Sequence, residues 1–113
     1  MPAMPNQSIR DIQSSLVKRF AQLQKLLDDA TEINEAMAIF REMQEVNHRI
    51  TLAGSLLFAQ DTSALSDKAA GVAKASNQAA KAIRDAAEFR QALAAITDFL
   101  TLVDDAIDLA KTL

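Results

Sequence analysis

Between Asn6 and Leu113 the chain contains no proline, and its only glycines are Gly54 and Gly71. Nothing along that length forces a helix to stop, and β-branched and aromatic residues are too sparse to favour strands. Cysteine is absent, which excludes disulfides, thiolate nucleophiles and zinc–thiolate sites. Tryptophan and tyrosine are absent too, and His48 is the sole histidine. The chain has no Gly-x-Ser-x-Gly elbow, no glycine-rich phosphate loop and no second histidine to complete an acid–base set. Consecutive carboxylates such as Asp28–Asp29 and Asp104–Asp105 point in different directions on a helix and cannot share a substrate atom. The expectation is a protein without enzymatic activity and without a cofactor.

Positive charge is in short supply. The net charge of −3 argues against nucleic-acid binding, which needs concentrated lysine and arginine to release counterions. No apolar run approaches the roughly 18 residues of a membrane span, and the opening Met1–Asn6 lacks the basic and apolar regions of a signal peptide. A cytoplasmic protein with no integral membrane association is expected.

Alanine, leucine, isoleucine and charged residues make up most of the chain. The pattern predicts an all-α fold: a small antiparallel bundle of three to four helices, expected to be oligomeric. A disordered arm is drawn at residues 1–7 and a single helical-bundle domain at 8–113. The first helix follows Pro5, with Asn6 or Ser8 as cap, and its seam runs Ile9, Ile12, Leu16, Phe20, Leu23, Leu27 and Ala30 in steps of three and four. The second begins between Asp29 and Asn34, where Asp29, Thr31 and Asn34 can cap. Its seam takes in Ile33, Ala36, Phe40, Met43, Ile50 and Leu57, with Ile39, Val46 and Ala53 alongside. A kinked continuous helix through 28–34 is the alternative.

Residues 60–63 mark the clearest break, with Ser63 or Ser66 as the next cap. One helix from 63 to 113 would reach about 75 Å, too long for a domain of this size. A division is therefore expected at 84–88, with Asp85 as a candidate cap; Ser76–Asn77 is a second candidate. The third helix is alanine-rich, so it can approach a neighbour closely while contributing less apolar area than a leucine seam.

The fourth segment carries two apolar ridges. Phe89, Leu93, Ile96, Leu100, Val103, Ile107 and Ala110 form one; Ala95, Phe99, Leu102, Ala106, Leu109 and Leu113 form the other. An arc this wide predicts a helix that is central in the bundle or covered by another chain. Phe99, Leu102, Ala106, Leu109 and Leu113 are the candidate partner-binding residues, in a homo-oligomer or against another protein. Asp98, Asp104, Asp105 and Asp108 add an acidic ridge, answered within the helix only by Arg90 and Lys111. It either meets a basic partner or solvates a very apolar helix.

Asn47 falls on the apolar face of the second helix, seven residues after Phe40 and seven before Gly54. A buried asparagine there would fix register or oligomeric state; one at the core edge would simply reach water. Glu45-x-x-His48, preceded by Glu42, has the spacing of carboxylate-bridged metal bundles, but in one copy and on the solvent side of its helix. The functional expectation is a protein-binding module, of the kind of an inhibitor, immunity protein or secretion chaperone. A self-associating structural subunit is the alternative, and a dimeric metal-binding carboxylate bundle the second.

Overall fold

A computed structural model describes residues 5–85 and 89–113, and within them the chain forms four helices and no strand. These are α1 (Gln7–Asp29), α2 (Ile33–Gly54), α3 (Ser63–Arg84) and α4 (Phe89–Lys111). The break expected at 84–88 is where α3 ends, with Asp85 as its C-cap; residues 86–88 lie outside the described part. Ser76–Asn77 stays inside α3.

The starts of α1 and α3 are held by side-chain caps. Asn6 Oδ1 accepts the Ile9 N–H at 3.1 Å, a standard cap. Asn6 is almost fully buried and Gln7 is helical, so both are part of the bundle; of the disordered arm expected at 1–7, residues 1–4 lie outside the described part. Extended backbone at Ala30 and Glu32 separates α1 from α2, which rules out the continuous kinked helix. The α2 N-cap is Glu32, with no side-chain hydrogen bond, rather than Asp29, Thr31 or Asn34. For α3 the cap is Thr62, one residue before the expected serine, its Oγ1 accepting the Leu65 N–H at 3.2 Å.

The chain packs as two helical hairpins, α1–α2 and α3–α4, side by side. Within each hairpin the helices are antiparallel. Between hairpins like runs with like: Arg19 of α1 reaches Ser76 of α3 and Gln22 reaches Ala80, so those helices advance together, and α2 lies beside α4 at Arg49 and Asp104. The antiparallel expectation thus holds within hairpins and not between them.

The crossover at 55–62 is stitched to the start of α1. Asn6 N–H and Nδ2 donate to the Leu57 and Ala59 carbonyls, the latter at 2.9 Å. Ser8 Oγ donates to Asp61 Oδ1 at 2.7 Å, and the Ser8 N–H points at Asp61 Oδ2 at 3.3 Å.

The core runs the length of this bundle. Ile9, Ile12, Leu16 and Leu23 face Ile39 and Val46, Leu65 and Val72, and Ile96, Phe99, Val103 and Ile107, all fully or almost fully buried. Fully burying one such side chain is worth about 1.5–3 kcal/mol. The alanines of α3 let α1 come close enough for Arg19 and Gln22 to hydrogen-bond the carbonyls of Ser76 and Ala80 at 2.8 and 2.9 Å. That closeness has a cost: Arg19 Nε and Gln22 Oε1 are buried without partners, and burial lowers the Arg19 pKa.

Candidate functional site

On α4 the core face falls between the two sequence ridges. Ala92, Ile96, Phe99, Leu100, Val103, Ala106, Ile107 and Ala110 are buried. Phe99 and Ala106, assigned to partner binding, are therefore core residues of a single copy. The reason is angular: at about 100° per residue both sit within the arc aimed at the bundle centre, whereas Leu102 and Leu109 sit at its edge. Leu102 keeps 39% of its surface exposed and Leu113 keeps 44%, while Leu109 is half-buried. Only these three of the five expected residues leave apolar surface along the outside of α4.

The acidic ridge is divided as well. Asp104 faces α2, where Arg49 grips it with two hydrogen bonds: Nε to Oδ1 at 2.7 Å and Nη2 to Oδ2 at 2.9 Å. Arg49 also meets Glu45 at 3.0 Å, and the Asp104 hydrogen bond, ahead of the others, raises the Arg49 pKa. Asp104 is thus answered from another helix, which spacing within α4 could not reveal. Asp98, Asp105 and Asp108 are exposed, and Asp98 and Asp105 border the Leu102–Leu109 edge at helical spacing.

The broadest bare apolar surface lies on α2. Its core seam is Ile39, Met43, Val46, Ile50, Ala53 and Leu57, in strict steps of four and three, all buried or partly buried. A second line with the same steps runs beside it: Ile33, Met37, Phe40, Gln44, Asn47, Thr51, Gly54 and, past the helix end, Phe58. Ile33 is 71% exposed, Met37 58%, Phe40 53% and Phe58 70%. Ile33 and Phe40, placed in the buried seam by sequence, belong to this outer line. Their spacing from Met43 and Ile50 is also helical, so two adjacent seams merged into one.

The outer line borders a groove between α1 and α2. One stretch, about 380 Å³, is lined by Leu27, Ala36, Met37, Phe40, Arg41 and Gln44; the next, about 240 Å³, by Phe20, Phe40, Met43, Gln44 and Asn47. Asn47 is exposed there, the core-edge position rather than the buried one. Gly54 is half-buried, and a Cβ on it would sit 3.3 Å from Gln13 Nε2, which donates to the Ile50 carbonyl. Its lack of a side chain admits that α1–α2 bridge.

Glu45 and His48 are exposed, as the helix phase required. Glu42 is half-buried, and burial first, then the neighbouring Glu45, raises its carboxyl pKa against the lowering pull of Arg49 and Arg41. Among the described residues no three histidine or acidic side chains come together in a metal-binding group. No described helix is long and apolar enough to cross a membrane. Comparison with protein-family models, curated proteins and solved structures finds no match.

Proposed function

We infer that this protein is a non-enzymatic binding module that covers another protein with helical faces, as an inhibitor, immunity protein or secretion chaperone does. One observation carries the reading: the bundle closes its own core and still leaves large apolar side chains bare on two faces. One is the α1–α2 face with Ile33, Met37 and Phe40; the other is the α4 edge with Leu102 and Leu113 on either side of half-buried Leu109. Continuous exposed apolar surface of this kind marks association sites. Asp98 and Asp105 beside the α4 edge suit a partner with basic groups around an apolar centre.

A photo-crosslinking residue placed at Leu102 or Met37 in host cells tests this, with exposed Lys74 of α3 as the control position. A discrete adduct with a different protein from Leu102 or Met37, missing from Lys74, is the expected outcome. No adduct from either position overturns the reading. Adducts composed only of this chain would instead establish the self-associating structural subunit.

A further inference from the structure

We propose that the α1–α2 face is the interface of an antiparallel homodimer, with the outer line of α2 lying against the same line of a second copy. The inference rests on that face being a binding surface and names its occupant; the α4 edge is left for the other protein.

The outer line of α2 is complementary to itself. A twofold axis placed between Glu45 and Val46 reverses the line onto itself. Ile33 then meets Phe58 of the second copy, Met37 meets Gly54, Phe40 meets Thr51, and Gln44 meets Asn47. Large side chains oppose small ones where the helices must come close, the arrangement that lets two surfaces interdigitate. The two central amides can hydrogen-bond across the axis, an established way of fixing register in paired helices. No charged residue lies on the line, so two copies of an acidic chain meet there without like charges opposed.

The steps of four and three are those of a two-helix seam, and α2 already spends its other such seam on the bundle core. Area also suffices. The exposed parts of Ile33, Met37, Phe40 and Phe58 offer roughly 500 Å² per copy. Half-exposed Val17 and the polar middle of the line bring the face near the roughly 800 Å² per partner of a standard interface.

Sedimentation of the purified full chain across a concentration series tests the proposal. The wild type should pass from a 12.3 kDa species to one of twice that mass. Phe40→Glu should raise the dissociation constant at least about tenfold. Because Phe40 is half-exposed and outside the core seam, the variant's circular dichroism melt, taken at a concentration where the wild type is monomeric, should match the wild type, which separates lost association from lost folding.

The absence of cysteine makes the register directly readable. Gln44→Cys mixed with Asn47→Cys should be joined by a short bismaleimide. Ile33→Cys alone should not, since antiparallel copies hold those positions about 35–40 Å apart. A wild type that stays at 12.3 kDa up to about 1 mM, a dimer indifferent to Phe40→Glu, or efficient Ile33→Cys self-linkage would each overturn the proposal. None of these results affects the capture of another protein from Leu102, so the two readings fail separately.

Discussion

Arg49 is the most heavily used cation of the described surface: its side chain is only 14% exposed and it holds Asp104 of α4 and Glu45 of its own helix together. Bidentate guanidinium–carboxylate geometry makes this pair stronger than an ordinary surface contact, although Asp104 itself is well solvated. Asp104→Ala is expected to lower unfolding free energy by about 1 kcal/mol in urea titration, and Asp105→Ala by less than about 0.5 kcal/mol. Glu42 behaves in the opposite sense. Its folded carboxyl holds a proton more tightly than the unfolded one, so as pH rises from 4.5 its ionisation costs more in the native state, and its contribution to stability becomes unfavourable. Glu42→Gln should therefore be more stable than wild type at pH 7, by less than about 1 kcal/mol given solvent screening, with the advantage vanishing below pH 4.5. Neither interaction was legible in sequence. Arg49 and Asp104 are 55 residues apart, and nothing in either helix's spacing points to the other.

At the scale of the elements, existence and boundaries were largely readable because no proline follows Pro5 and the apolar seams lapse around 29–34 and 60–63, although Gly71 and Ser76–Asn77 lie inside α3 without ending it. The first seam follows from step counting, and the division after Arg84 from the length a single helix over 63–113 would have. Faces were harder. Residues three or four apart share a face, but two seams one position apart satisfy that rule equally well, and only the other helices decide which is buried. Spacing alone therefore puts Phe40 inside and Phe99 outside, each the reverse of what packing selects. The α1 start shows a similar limit: Asn6 was readable as a cap, whereas its grip on the Leu57 and Ala59 carbonyls depends on where the crossover passes. Asn6→Ala removes the cap and the Nδ2 bond to the Ala59 carbonyl and keeps the backbone bond to Leu57. It should cost about 1–2 kcal/mol and lower the melting temperature by about 4–8 °C, measured by calorimetry.

For the whole molecule the consequential fact is that neither hairpin has a core of its own. Ile9, Leu16 and Val46 of the first are buried together with Val72, Phe99 and Val103 of the second. Fragments 1–60 and 61–113 should each show little helix by circular dichroism and regain it on mixing; strong helicity in either fragment alone would contradict this. The side-by-side arrangement was not legible because hydrophobic spacing specifies which face is covered and not by which neighbour. It has one further result. With α1 and α3 advancing together, the electropositive beginnings of both helices stand at the same corner, where they repel. Asp61, bonded to Ser8 and directly preceding the Thr62 cap, places a carboxylate between them. Asp61 is the one carboxylate at that corner, where the Asn6 bonds to Leu57 and Ala59 also hold the crossover: without it the two positive ends would face each other unscreened, and both helices would fray more readily from that end together.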